Sequence, residues 1–492
     1  MSNINLTSTV IDAAGGDPTA RALAKGGRGN VVAFLGNSLT EHGIYPNLDQ
    51  NDATKLRYDA WGYSAWARAH SLGRWYTDWS LNYGVSGDTL EYRSASQPGI
   101  ASRIIGPYSP APATAGVPAR PGLLARRPDI VVIEAGTNSD AAQTPHAISG
   151  AELVRAVQLL TGAGIAVILT TDLPRSGWGS LTSGQILFGR QQASQRRRLI
   201  FQLARDYPCV TVCDWAPRFQ SATGAGIADL LKFVDGLHPG NLGAFYMGQI
   251  VNQAILEVLG SRSIFDCGGD PSGDYHVTDN PTGNMLLNSN FQGSAGSVSG
   301  SATANWPSPV KPTSWILGNS NGNPAGVSIR GASSHLSSRP DGNPGTQWQA
   351  ALTMSAADAQ NGFYGEALSI YQFVSNLVAA RTYRLRSIVS ISNTLKMVGL
   401  RAQVRFQTGG AATRFTTADL DPAANSQNAG ITFVPGIPDG WSGDLYLETP
   451  PYTLPAGTDI TQGQCGFDFY LDHTSTSSTA TVQPRYAYFG TG

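Results

Sequence analysis

Charge is scarce in this sequence. Lys, Arg, Asp and Glu make up only 14% of the 492 residues, and the formal net charge at pH 7 is -1. Such a balance provides no field that would attract nucleic acid or an anionic membrane surface. Apolar runs such as Ile165 to Leu169 are far too short to span a bilayer. We therefore expect no nucleic-acid partner and no membrane span.

Cysteine is rarer still. The chain has 4, and they form neither a CxxC pair nor a zinc-binding spacing: Cys209, Cys213, Cys267 and Cys465. Cys209 and Cys213 fall within one apparent strand, where four residues cover about 13 Å, too far for a disulfide. We predict buried free thiols.

The first 29 residues lack the charged n-region and apolar h-region of a secretory signal. They are polar and glycine-rich, and we interpret residues 1–29 as an N-terminal arm. If the protein acts outside a cell or on a virion, we expect it to reach that location without a cleavable signal peptide. A cytoplasmic location also stays open.

What the chain does have is length and a change of pattern. At 492 residues it is about three times the ~150 of a usual domain, so two or three domains are expected. Strand-like and helix-like stretches alternate from residue 30 to about 260, which predicts a parallel sheet covered on both faces. The predicted strands lie near 30–35, 79–83, 129–135, 165–171 and 210–214. The predicted helices lie near 61–75, 148–162, 187–206 and 241–259.

The period changes after residue 284. Residues 261–284 are rich in Gly, Pro and Asp and resemble a linker. Beyond them, Leu400 to Gln407 alternates strictly between apolar and polar residues, which predicts a strand with one packed and one solvated face. We therefore predict an all-β sandwich over 285–492 and an α/β domain over 30–260.

A first candidate for chemistry follows the first predicted strand. Val31 to Leu35 is apolar, Gly36 ends the run, and Ser38 lies just beyond. The carboxyl ends of parallel strands form the binding crevice of such sheets. Ser38 is therefore a candidate nucleophile, although a turn or cap serine would look the same.

A serine needs a base, and the base works best when a carboxylate fixes its tautomer. Asp235-Gly236-Leu237-His238-Pro239 supplies both groups within one turn. Gly236 permits the turn, and Pro239 is expected at the first position of the following helix. A capped helix with a surface histidine is the alternative.

Acyl transfer also needs donors for the oxygen that becomes negative in the tetrahedral intermediate. Gly87 follows the second predicted strand, and Asn138 follows the third. Gly87 can offer a bare backbone N–H and Asn138 a side-chain amide. Both residue types are also common in simple turns and caps.

Taken in order, these four segments resemble the blocks of the SGNH hydrolases, also called GDSL-type esterases, over residues 30–260. The resemblance implies a flavodoxin-like three-layer α/β/α fold with a five-stranded parallel sheet. It also implies Ser38 as nucleophile, His238 as general base and Asp235 as its partner. The oxyanion hole would comprise Gly87, Asn138 and the N–H of Ser38, with no cofactor or metal.

Two positions depart from the pattern of that family. Asn37 and Ser139 replace aspartates that are usual in the first and third blocks. Neither is a catalytic group in the family, so we expect them to affect loop packing more than activity.

Charged residues near the remaining strands have plainer interpretations. Arg196, Arg197 and Arg198 are expected on the solvated face of a helix. Asp172 and Arg175 follow the fourth strand, where a loop salt bridge is favoured over contact with substrate. His42 could line the cleft or lie on the surface.

The β region resembles the jelly-roll carbohydrate-binding modules of polysaccharide enzymes. Sugar rings stack on exposed aromatic faces, for which Trp306, Trp348 and Trp441 are candidates, with core positions as the alternative. Asp419, Asp421 and Asn425 could hold a structural calcium ion, but their spacing fits no defined loop.

The resulting hypothesis is a serine esterase that removes acetyl or another small acyl group from a polysaccharide held partly by the β module. Bacteriophage tail proteins also join SGNH esterase domains to β modules. One alternative is a glycan-binding adhesin on an inactive esterase scaffold. Another is a lipase or thioesterase with an acyl channel in the Tyr45–Trp79 insertion. The oligomeric state is left open.

Overall fold

The computed structural model divides into two compact units, formed mainly by Ala60–Ile264 and by Phe265–Gly492. Each is described separately below. The structure describes residues 30–41, 48–49, 52–56, 62–77, 81–107, 121–134, 136–231, 235–259, 284–307, 309–319, 329–338, 346–354, 366–408, 413–416, 433–449, 452–454, 456, 460–472 and 475–491. The predicted N-terminal arm and all but the last residue of the predicted linker lie outside these ranges.

The first unit contains a parallel five-stranded sheet with the strand order β2-β1-β3-β4-β5. Its strands are β1 (Val32–Gly36), β2 (Asn82–Gly84), β3 (Ile130–Glu134), β4 (Ala166–Thr170) and β5 (Val210–Cys213). This is the strand order of doubly wound flavodoxin-like folds. The predicted α/β fold class and all five predicted strands are confirmed.

Both faces of this sheet are buried because alternate residues of each strand meet different layers of helices. Ala33 and Leu35 of β1 pack in one core cluster with Leu153. Val32 and Phe34, between them, pack in a second cluster with Met247. This arrangement explains why the strands are continuous apolar runs.

The helices of the first unit were only partly predictable. They are Ser38–Glu41, Tyr63–His70, Gly99–Ile105, Leu123–Arg126, Thr137–Ala141, His146–Gly162, Ser183–Asp206, Ala216–Phe219 and Asn241–Leu259. The four long predictions are confirmed within a few residues, but Gly99–Ile105 was missed. Pro239 was wrongly expected to open the last helix, which begins at Asn241; Pro239 instead forms a β-bridge with Leu231.

The second unit contains two sheets, confirming the predicted β-sandwich class. One comprises, in spatial order, Ile329–Leu336, Gln347–Met354, Thr479–Gly490, Thr382–Leu395 and Gly443–Glu448, with Tyr452–Thr453 beside Thr382–Leu395. The other comprises Thr413–Thr416, Met397–Thr408, Ile460–Leu471, Glu366–Val374, Ile316–Asn319 and Ser297–Val298, with Phe433–Pro435 beside Met397–Thr408. A short antiparallel hairpin, Leu48–Asp49 and Asp52–Leu56, lies in sequence between the helices Ser38–Glu41 and Tyr63–His70.

Two of the three tryptophans suggested as sugar platforms are not available for that role. Trp306 and Trp348 are buried, and their indole N–H groups donate to the backbone oxygens of Gly318 and Val310. Trp441 is half-buried. The core alternative is therefore correct for Trp306 and Trp348, because turn-rich sequence around a tryptophan does not determine whether its ring is exposed.

The expectation of a fully solvated polar face on the β strands is also wrong. Gln403 lies in the alternating run Leu400 to Gln407 but is buried, and its amide donates to Asp468 on the neighbouring strand at 2.8 Å. Arg401 also donates to this fully buried carboxylate. Arg401 and Gln403 in this alternation thus pair with Asp468 across strands.

Some remaining predictions concern single residues. Cys213 and Cys465 are buried and Cys209 is half-buried, all three as free thiols. Cys267 and the proposed calcium ligands Asp419, Asp421 and Asn425 lie outside the described residues. Among the helices that the structure describes, none is long and apolar enough to cross a membrane.

Candidate active site

The side chains of Ser38, His238 and Asp235 form a continuous hydrogen-bonded series. Ser38 Oγ lies 2.9 Å from His238 Nε2, and His238 Nδ1 lies 2.8 Å from Asp235 Oδ2. The serine is 200 residues from the histidine in sequence. The fold therefore brings a hydroxyl, an imidazole and a carboxylate into the order that proton transfer from serine requires.

A tight turn holds the imidazole and the carboxylate together. Asp235 Oδ1 accepts the backbone N–H groups of Leu237 and His238 at 2.8 and 2.9 Å, which leaves Oδ2 for the imidazole. Gly236 has φ of +59°, a conformation that favours glycine, as its position predicted. Burial raises the pKa of Asp235, but these hydrogen bonds outweigh it and hold the pKa below its ordinary value. Asp235 is thus a carboxylate at neutral pH.

Ser38 begins a single helical turn directly after β1. Gly36 is required here, because a Cβ atom would lie 2.1 Å from Thr40 Oγ1 and 2.2 Å from the backbone oxygen of Glu134. Asn37 Oδ1 accepts the N–H of Leu39 at 2.9 Å. The turn therefore presents Ser38 in one defined orientation at the carboxyl edge of the sheet.

The predicted oxyanion donors follow neighbouring strands. Asn138 donates one amide hydrogen to the backbone oxygen of Asp88 at 2.9 Å, which leaves its second hydrogen for another acceptor. Gly87 has φ of +75° and is exposed. Among the backbone–backbone hydrogen bonds of the described residues, none uses the N–H of Ser38 or Gly87. Their role in stabilising an oxyanion stays a prediction.

One important positioning group, Arg103, was missed by sequence reasoning. Its fully buried guanidinium donates to the backbone oxygens of Gly36 and Tyr83 and forms a 2.7 Å ion pair with Asp88. Gly36 ends β1, Tyr83 lies in β2 and Asp88 follows β2, next to the segments that carry Ser38 and Gly87. The only available sequence signal was an arginine within the apolar stretch Gly99–Ile105.

The expectation that Arg196 lies on a solvated face is wrong. Arg196 is completely buried and pairs with Asp140 at 2.5 Å and with Asp172 at 2.8 Å. Burial lowers the pKa of Arg196, but these two carboxylates outweigh burial and raise it above its ordinary value. The cluster joins the helix Ser183–Asp206 to the segments after β3 and β4, so it supports the carboxyl edge of the sheet.

Other residues suggested by the sequence have structural roles where they can be seen. Arg175 donates to the backbone oxygens of Thr137 and Gly177, and its guanidinium lies 4.2 Å from the Trp178 ring centroid. Ser139 donates to Glu91 at 2.9 Å. His42 lies outside the described residues. Over the described part of the chain, no group of three or more His, Cys, Asp or Glu side chains is arranged to hold a metal ion.

A parallel α/β domain with a serine, a histidine and an aspartate hydrogen-bonded at its carboxyl edge is typical of serine hydrolases. In agreement, residues 34–244 match the GDSL-like Lipase/Acylhydrolase family. Most of the matched residues fall within the α/β unit, which is therefore similar to that family. No curated protein matches the chain.

Several solved structures show a partial likeness to this chain. An arylesterase-type structure from Agrobacterium tumefaciens is 17% identical, with a TM-score of 0.32, and the alignment covers 47% of this chain and 100% of that one. An acetylxylan esterase mutant from Geobacillus stearothermophilus is 20% identical, with a TM-score of 0.31 and coverages of 48% and 97%. A lipolytic G-D-S-L protein from Desulfitobacterium hafniense is 18% identical, with a TM-score of 0.30 and coverages of 46% and 99%.

Proposed function

We propose that this protein is a serine esterase that removes acetyl, or another small acyl group, from a polysaccharide. The observation that carries the proposal is the series Ser38 Oγ, His238 Nε2, His238 Nδ1 and Asp235 Oδ2, with contacts of 2.9 and 2.8 Å. In the proposed mechanism His238 takes the proton of Ser38 as Oγ attacks the ester carbonyl. His238 then donates that proton to the departing sugar hydroxyl, while Asp235 stabilises the imidazolium.

The negative oxygen of the tetrahedral intermediate needs donors that are already in place. We propose the N–H of Ser38, the N–H of Gly87 and the free amide hydrogen of Asn138 for this role. Water then attacks the acyl-Ser38 ester with His238 as base, which releases acetate and restores the serine. This sequence of steps needs no metal or cofactor.

A small acyl group is favoured by the positions of the aromatic residues in the Tyr45–Trp79 segment. Tyr63, Trp66 and Trp75 are fully buried, and the Tyr63 ring packs against Phe34 and Trp215. They belong to the core, so the described part of this segment contributes no acyl channel. We expect acetyl esters to be hydrolysed at least about tenfold faster than octanoyl esters, and the reverse order would favour a lipase or thioesterase.

A cavity with both polar and apolar lining residues supports a sugar as the group that carries the ester. It has a volume of about 320 Å³ and is lined in part by Thr137, Arg175, Trp178, Gln220 and Thr223. Thr137 precedes Asn138 directly, and a lining of hydroxyl, amide, guanidinium and indole groups suits a glycosyl residue. Filling the cavity with exposed Thr223→Trp should lower polysaccharide deacetylation by about tenfold and leave p-nitrophenyl acetate turnover unchanged. Equal effects on both substrates would exclude this use of the cavity.

We propose further that the β-sandwich, over residues 285–492, contributes to glycan binding and is joined through a linker at 261–284 to a hydrolase domain at 30–260. The described aromatic pair suited to this role is Tyr371 and Phe373, whose rings lie edge to face at 5.7 Å, with Phe373 45% exposed. Because acetylated polysaccharides are polymers of cell surfaces and walls, we favour an extracellular or virion-associated setting.

The direct test is Ser38→Ala. We expect p-nitrophenyl acetate turnover to fall by about 10³- to 10⁶-fold while the circular dichroism spectrum stays unchanged. The wild type should also release free acetate from at least one member of a panel of acetylated bacterial and plant polysaccharides. Unchanged turnover in the variant would remove the assignment of Ser38. Retained glycan binding with refusal of every ester would instead favour a non-catalytic adhesin.

A further inference from the structure

Beneath the turn that carries Ser38 lies a carboxylate that the mechanism does not use. Glu134, the last residue of β3, is only 2% exposed. Its Oε1 accepts the side-chain amide of Asn37 at 3.3 Å, and its Oε2 accepts the N–H of Asn37 at 3.4 Å and the hydroxyl of Thr40 at 3.3 Å. Two residues of this turn, one directly before Ser38 and one two positions after it, are therefore held by one buried group.

The same contacts fix the chemical identity of position 37. Asn37 donates to Glu134 through its amide nitrogen and accepts the N–H of Leu39 through its amide oxygen. An aspartate at position 37 would face the Glu134 carboxylate at this distance, and two carboxylates so close cannot both stay ionised. The asparagine, where aspartate is usual in the first block, is thus complementary to a buried glutamate 97 residues away.

We infer that Glu134 is a positioning residue for the nucleophile and that Asn37 and Glu134 act as one unit. The pair holds the turn from Gly36 to Thr40 so that Ser38 Oγ stays 2.9 Å from His238 Nε2. This inference rests on the proposed esterase function. It adds that the rate of acylation depends on a buried pair that touches no substrate.

The hydrogen-bond directions predict how each variant behaves. In Glu134→Gln the amide oxygen keeps the two donors that Oε2 now accepts, so the new NH₂ group faces the NH₂ of Asn37. In Asn37→Asp the two carboxylates oppose each other. In the double variant Asn37→Asp with Glu134→Gln, the new aspartate accepts from the new glutamine and still accepts the N–H of Leu39. The donors and acceptors match again, and the pair contains one carboxyl group as in the wild type.

The experiment is a double-mutant cycle in the full chain with p-nitrophenyl acetate. We expect kcat to fall by about 10- to 100-fold in each single variant, with KM within about threefold of the wild type. The double variant should recover to within about threefold of wild-type kcat. The rate at which a fluorophosphonate labels Ser38 should follow the same order among the variants. This comparison uses protein that circular dichroism shows to be folded.

Asp129→Asn is the matched control, because Asp129 is another buried carboxylate that accepts a strand N–H, that of Val31 at 2.8 Å, before β3 begins. It should lower the melting temperature without lowering kcat of the folded protein. A cycle in which the two single losses simply add, or in which kcat follows melting temperature in every variant, would overturn the positioning role. A wild type that hydrolyses no ester and is not labelled would instead refute the proposed function itself.

Discussion

Replacing Asp235 by Asn tests whether this carboxylate sets the tautomer of His238. Oδ1 of Asp235 accepts two backbone N–H groups, at 2.8 and 2.9 Å, whereas Oδ2 accepts only the imidazole. The amide oxygen of the asparagine should therefore take the Oδ1 position, because the opposite orientation would set its NH₂ against two donors. Its NH₂ then points at Nδ1, which must become an acceptor. The imidazole proton moves to Nε2, facing Ser38, and the base is blocked.

A wrong tautomer of this kind costs about 10⁴-fold in kcat, or about 5 kcal/mol of transition-state stabilisation. The assay is kcat/KM for p-nitrophenyl acetate, and the melting temperature should stay close to that of the wild type because the turn keeps both backbone contacts. Asp214→Asn is a matched control, since Asp214 Oδ1 also accepts two donors, at 2.9 and 3.1 Å, but its Oδ2 faces Arg197. A kcat/KM for Asp235→Asn within about tenfold of the wild type would refute the reasoning.

Three further predictions concern the support of the site. Gly36→Ala should destabilise the protein by about 3 kcal/mol, because the alanine Cβ would lie 2.2 Å from the Glu134 backbone oxygen. The control Gly162→Ala places its Cβ in open space and should not destabilise the protein. Arg196→Met should cost about 3–5 kcal/mol in denaturant unfolding, because it leaves two buried carboxylates unpaired; the exposed Arg197→Met should cost less than about 1 kcal/mol. Burial raises the pKa of Glu134 from 4.5 to about 7. Protonation of Glu134 therefore adds up to about 3 kcal/mol to the free energy of unfolding. This contribution is complete below pH 4.5 and is lost as the pH rises through 7. Glu134→Gln should flatten the wild-type unfolding free energy over that range; parallel pH curves for the two proteins would contradict this.

The sheet of the first unit was predictable because burial on two faces leaves a direct trace in sequence. Each strand is an apolar run, and a run such as Val131 to Ile133 has few alternatives at that length. The helix Gly99–Ile105 left no such trace, because seven residues are too few to show a period. Chain order also brought Ser38 and His238 to one edge, because parallel strands end there.

Buried charges could not be predicted in the same way. Nothing in the sequence around Glu134 indicates that its partner is Asn37, and nothing beside Arg196 indicates Asp140 and Asp172. These pairs depend on which loops the fold brings together, and an isolated charged residue is more often solvated. For the same reason Gln403 was assigned to a solvated face although it is buried.

The buried guanidinium of Arg103 has a consequence for anyone who would redesign this enzyme. It binds the last residue of the first strand and the chain after the second strand through a single side chain, so neither segment can be exchanged without disturbing the other. Loop grafts that aim at new substrates should begin on the opposite flank of the sheet, around Thr223, where exposed residues border the cavity. Under the proposed function, substrate specificity and folding depend on different halves of one rim, and directed evolution can vary the first while leaving the second intact.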